Sequence, residues 1–122
     1  MGRQKSSEPA PEGFLPLHRD TFQILVALAD RDRHGYSILR DIAERSGARA
    51  ISPSTLYSSI RRLLESGLIE ELDERPGPGE DDERRRYYRL TSLGRKVAVM
   101  EAQRLQRLLE DARAGGLLPG RT

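Results

Sequence analysis

Five side chains between Ser54 and Arg62 have the types and spacing to engage a polyanion: Ser54, Thr55 and Ser58 offer hydroxyls, and Arg61 and Arg62 offer guanidinium forks. Hydroxyls and unpaired backbone N–H groups near a helix start donate to phosphate oxygens or base edges, and a guanidinium reaches phosphate or the O6 and N7 of guanine. A second group, Arg84, Arg85 and Arg86, follows the acidic run Glu80 to Glu83 and suits a flanking phosphate or a minor groove. Other chemistry is poorly supplied. The chain has no cysteine and two histidines, which excludes thiolate metal sites and Cys nucleophiles; His34 reads as a helix-start residue, not a ligand. The acidic run lacks the spaced oxygen ligands of a calcium loop. No Ser, His and acid arrangement, phosphate-cradling glycine loop or dinucleotide fingerprint is found, so neither catalysis nor a metal or cofactor is expected.

The elements that must position these residues can be read from periodicity. Leu17 to Ala29 is apolar on nearly every side and predicts a short central helix buried all round. His34 to Ser46 carries Tyr36, Leu39, Ile42 and Ala43 at spacings of three and four, an amphipathic helix stopped by Gly47. Ser52-Pro53 supplies an N-cap oxygen and a proline at the first helical position, predicting a third helix from Pro53 to Ser66 that ends at Gly67. Leu56, Ile60, Leu63 and Leu64 form its apolar stripe, which turns Ser54, Thr55, Ser58, Arg61, Arg62 and Glu65 outward. Leu68 to Glu74 and Arg85 to Leu90 read as two strands around a Pro/Gly and acidic loop. Tyr87 and Tyr88 then alternate, one toward the core. Thr91 or Ser92 caps a last helix of about twenty residues.

Helix, helix, short turn, helix, hairpin is the order of a helix-turn-helix with a wing, a mainly α fold with a small β-hairpin. The third helix would lie in a major groove. The net charge of +2 conceals a sharp reversal: Glu70 to Glu83 holds eight acids and one arginine, whereas Arg84 to Lys96 holds six bases and no acid. The longest apolar stretch, Phe22 to Ala29, is far short of the roughly 20 residues of a membrane span, and no secretory signal is read, so a cytoplasmic protein with no membrane partner is expected. The expected organisation is a flexible arm at 1–14, a DNA-binding domain at 15–91, a dimerisation helix at 92–114 and a flexible tail at 115–122.

His34-Gly35-Tyr36 with Ile38-Leu39, then Ile51 to Tyr57, Arg61-Arg62-Leu63, Gly67-Leu68-Ile69, Arg85 to Thr91 and Gly94 together resemble the PadR family, in order and at the right spacing from about Leu17 to Gly94. The resemblance implies a winged-helix repressor whose last helix mediates dimerisation, in the manner of the family's smaller members. It places Ser54, Thr55, Tyr57 and Arg61 or Arg62 at DNA and Arg85 and Arg86 in a basic wing. Tyr57 enters only through the resemblance; periodicity leaves it on the flank of the apolar stripe. Two departures stand out. The last helix carries no aromatic residue, against a stacking site for planar ligands, and the wing tip Glu80 to Glu83 would repel phosphate if it pointed at DNA.

The expected function is sequence-specific repression by a homodimer on a pseudo-palindromic double-stranded operator, with release by a small-molecule effector as a further element. The alternative is a winged-helix adaptor that binds a protein partner instead of DNA. The dimer surface is expected to use Phe22, Val97, Met100, Leu105, Leu108, Leu109 and Ala112, because one long helix has too little intramolecular surface to cover its stripe. Glu101 falls within that stripe and is expected to pair with an arginine such as Arg104 of the partner copy.

Overall fold

In a computed structural model of the chain, residues 9–46, 50–72 and 86–120 are described. A 3-10 turn at Pro11–Phe14 leads into α1 (Arg19–Ala27), β1 (Arg33–His34), α2 (Gly35–Ser46), α3 (Pro53–Glu65), β2 (Ile69–Leu72), β3 (Tyr87–Leu90) and α4 (Ser92–Ala114). The three strands form one antiparallel sheet in the order β1-β3-β2. Ile24, Leu25, Ile38, Ile42, Leu56 and Val97 are fully buried and join the helices into one core, which Leu68, Ile69, Tyr88 and Leu90 close from the sheet side. No helix of the described residues is long and apolar enough to cross a membrane.

The capping chemistry sets the helix ends. Ser52 has extended backbone and its side chain accepts the Thr55 N–H at 3.1 Å, with Pro53 at the first helical position. At the other end Gly67 takes φ +79°, and the N–H groups of Leu68 and Gly67 return to the carbonyls of Leu63 and Leu64. This left-handed glycine closure satisfies carbonyls that the end of a helix otherwise leaves unpaired. Thr91 then joins two helices. Its side chain accepts the Gly94 N–H at 2.9 Å as the cap of α4, and donates to the Gly67 carbonyl at 2.6 Å. Its backbone N–H bonds the Leu68 carbonyl at 3.1 Å. Gly94 lies so near that a Cβ there would overlap the Leu68 carbonyl oxygen, so no larger residue fits.

Several expectations need correction. The strand β1 is absent from the sequence reading, which begins a helix at His34; two residues leave no alternating pattern to read. Arg33 pairs with Tyr88 and His34 with Tyr87 across β1 and β3, and the His34 ring accepts the Ser37 N–H at 3.1 Å, so His34 does serve the start of α2. The arm drawn to residue 14 is ordered from Pro11, because Phe14, Leu15 and Leu17 pack on the core. The tail drawn from 115 folds back in part: Gly116 takes φ +87°, Leu117 N–H bonds the Ala112 carbonyl, and Arg113 donates to the Pro119 carbonyl. Residues 1–8, Gly47, the acidic tip Glu80 to Glu83, and Arg84 and Arg85 lie outside the described residues.

Candidate nucleic-acid interface

Helix α3 consumes its apolar face in folding and leaves its polar face bare. Leu56, Ile60 and Leu63 are buried, while Ser54, Tyr57, Arg61 and Arg62 are exposed and Thr55 and Ser58 are half-buried. Its first turn is a hydroxyl cluster: Ser52 Oγ lies 3.0 Å from Thr55 Oγ1 and 3.3 Å from Ser54 Oγ. Ser58 donates to the Thr55 carbonyl and is held to the helix backbone. One turn on, Arg62 reaches the buried Ser59 hydroxyl at 3.5 Å. Neither Arg61 nor Arg62 forms an ion pair among the described residues.

Tyr57 is 40% exposed. Its ring covers Gly35 closely: a Cβ on that glycine would stand 2.7 Å from the Tyr57 hydroxyl oxygen. This contact explains why glycine opens α2, and it seats the exposed tyrosine of α3 against the first turn of α2. The preceding residue, His34, packs edge-on against Tyr87 of the wing strand with ring centroids 5.4 Å apart. A continuous run of contacts therefore joins α3, the start of α2 and the wing. Tyr57 and Tyr87 are separate signals in the sequence; the fold brings them to either side of His34 and Gly35.

The wing is a two-stranded ribbon in which Ile69 opposes Leu90, Glu70 opposes Arg89, Glu71 opposes Tyr88 and Leu72 opposes Tyr87. Tyr88 is buried, and burial first, with the Glu71 charge second, pushes its phenol pKa upward. Arg86 stands 3.5 Å from Glu71, and Arg89 meets Asp32 at 3.0 Å. The described base of the wing is thus internally balanced in charge, unlike α3.

The expected dimer residues separate into two sets. Val97 is fully buried in the core of its own protomer and has no surface to offer a partner. Periodicity identifies the face of a helix but not what covers it, and the first half of α4 is covered by its own domain. Phe22, Met100, Leu105 and Ala112 are half-buried. Leu108 and Leu109 are 54% and 52% exposed, in the C-terminal half of α4. Glu101 is also corrected. It is 2% exposed and is held within its own chain by Arg104, through Nε to Oε1 at 2.8 Å and Nη2 to Oε2 at 2.9 Å. The Arg104 hydrogen bonds, opposed by burial and aided by the Leu17 backbone N–H, hold its carboxyl below the usual carboxylate range. Glu101 thereby anchors the chain leading into α1 to the side of α4.

Comparison with known proteins agrees with this architecture. The chain is similar to uncharacterised protein X of Lysinibacillus sphaericus, 37% identical over 79 residues that make up 64% of this chain and 69% of that protein. A PadR family transcription regulator from hypervirulent Clostridium difficile has the same fold, with a TM-score of 0.64 at 22% identity over 80% of this chain and 97% of the other. Bacillus subtilis PadR in complex with operator DNA superposes with a TM-score of 0.58 at 22% identity, over 74% of this chain and 48% of that one, so the chain spans about half of that regulator. The profile of the transcriptional regulator PadR-like family matches residues 24–99. The bare polar face of α3, the wing beside it and this match have one reading: the chain belongs to the PadR-like family of winged-helix transcriptional regulators.

Proposed function

We propose that the protein is a repressor that binds a pseudo-palindromic operator as a homodimer, with α3 in the major groove. The observation that carries this reading is the division of exposed groups: α3 presents hydroxyls followed by Arg61 and Arg62, which form no ion pair among the described residues, while the far end of α4 presents Leu108 and Leu109. Hydroxyls at a helix start and arginines one to two turns later match the way such helices meet phosphates and base edges. Bacillus subtilis PadR, solved with operator DNA, supports the same use of the fold. Two copies joined through α4 would set two reading helices about 34 Å apart, one turn of B-DNA. A small-molecule effector would release the operator by favouring a different crossing of the two α4 helices, since a ligand shifts an equilibrium only by its differential affinity for the two states.

The test is fluorescence anisotropy with the upstream region of the protein's own gene and a scrambled duplex at physiological salt. Own-region DNA is expected to bind at least about 1,000-fold more tightly, the lower end for specific regulators. The double variant R61A/R62A should lose about 100-fold or more in affinity for it, given about 1–3 kcal/mol for each good bidentate base contact. Equal binding of the two duplexes by the wild-type protein would overturn specific repression.

A further inference from the structure

Most arginines of the described chain are engaged by the chain's own carboxylates. Arg33 meets Asp30 and Asp41, Arg45 meets Asp41, Arg89 meets Asp32, and Arg113 meets Glu110. Arg40 on α2 differs. Among the described residues it forms no ion pair, and its guanidinium carbon stands 5.2 Å from the ring centroid of Tyr36, one turn earlier. Glu44 lies one turn further along the helix and makes no ion pair among the described residues, while the adjacent Asp41 is taken by Arg33 and Arg45. Tyr36 is 59% exposed, a large aromatic surface left in water beside the residue that Tyr57 covers.

A guanidinium stacked on an aromatic face keeps its N–H edge outward, in the plane where it can fork onto a phosphate. The stack also holds the long side chain ready, so that less rotamer freedom is lost when an anion arrives. The location fits one anion in particular. Tyr36 adjoins Gly35, the seat of the exposed Tyr57, so Tyr36 and Arg40 stand at the exposed surface of α2 within a turn or two of where α3 meets it. In helix-turn-helix proteins the helix before the reading helix crosses the DNA backbone.

We propose that Tyr36 and Arg40 form a phosphate clamp for the DNA backbone beside the groove that α3 enters. Arg40 supplies the charge, and Tyr36 is a positioning residue that holds the guanidinium plane. The inference rests on the DNA-binding reading and deepens it. Because a phosphate contact carries no sequence information, the clamp sets register and general affinity and leaves the choice of sequence to α3.

The experiment measures binding of the full-length protein to the own-region and scrambled duplexes across a salt series, with circular dichroism to confirm folding. R40A is expected to weaken binding to both duplexes by a similar factor, about tenfold at low salt, and to lower the slope of log K against log salt by about 0.9 for each phosphate no longer neutralised. Y36F keeps an aromatic face and should retain the wild-type slope. Y36A should move toward R40A. R107A, which removes the exposed Arg107 of α4, should leave the slope unchanged and so controls for net charge. A wild-type slope in R40A, with R61A/R62A still impaired, would overturn the clamp while leaving the DNA reading intact. So would an equal loss in R107A, or a loss in R40A confined to one sequence. A wild-type protein that binds both duplexes equally would overturn specific repression alone, and the R40A slope would still decide the clamp. Absence of any DNA binding by the wild-type protein would overturn both.

Discussion

Helices α3 and α4 are both amphipathic, both start at a hydroxyl cap and both end at a left-handed glycine, yet folding leaves opposite remainders on them. On α3 Leu56, Ile60 and Leu63 are buried and Leu64 is half-buried, and the exposed remainder is polar, with Arg61, Arg62 and Glu65. On the far half of α4 the apolar stripe is only partly covered, with Leu105 and Ala112 half-buried and Leu108 and Leu109 half in water. The lesson is that a helix's function lies in what its own fold fails to cover. On the proposed function, the α3 cations that form no ion pair among the described residues meet an anion, and the uncovered leucines of α4 meet another helix.

The largest test of that contrast is L108D/L109D. It should convert a dimer to a monomer in sedimentation velocity with little change in protomer stability, because exposed positions carry only about 0.5 kcal/mol. Operator affinity should fall by about 100-fold or more, since the two half-sites are no longer bound by one tethered body. A variant that remains dimeric would place the interface elsewhere.

An intermediate effect is expected inside the covered half of α4. E101Q removes the charge-assisted bonds to Arg104 and should cost about 1–3 kcal/mol in denaturant unfolding. The folded-state pKa of Glu101 is depressed, so its contribution is present above the unfolded carboxyl value and is lost as pH falls through the lowered folded value. Wild-type stability should therefore decline on acidification more than that of E101Q. Parallel acid profiles would mean that the pair contributes nothing.

The smallest expected effect on binding, and the one that best isolates the reading face, is that of G35A. Its Cβ meets only the outer end of the Tyr57 ring, which can move, and alanine favours a helix by up to about 1 kcal/mol over glycine. Stability should change by less than about 1 kcal/mol while operator affinity falls several-fold, because Tyr57 is displaced. Unchanged DNA binding would remove Tyr57 from the interface.

Local chemistry is the most legible part of the sequence. The Ser52 and Pro53 start, the Gly67 stop and the outward hydroxyls and arginines of α3 are each set within a few residues, and each appears where periodicity and capping put it. Features decided by distant partners are not legible. Val97 and Leu108 share one stripe, and only the folded domain distinguishes the residue it covers from the one it does not. Pro11–Phe14 has the composition of a loose arm, but Phe14 finds a place on the core. Arg40 is silent in the sequence because an exposed arginine on an outer face is ordinary until its neighbours are found to leave it unpaired. The one local signal is the aromatic residue a turn ahead of it.

The junction at Thr91 has a mechanical consequence. With its cap, its backbone and Gly94 all fastened to residues 67 and 68, the start of α4 cannot turn without carrying the end of α3 with it. On the proposed function, each protomer would then act as a lever, with the pairing helix α4 as its handle and the reading helix α3 as its blade. In the proposed dimer, a few degrees of change where the two α4 helices cross would open or close the span between the two α3 helices, so an effector of the proposed kind would act through an angle instead of through a flexible hinge.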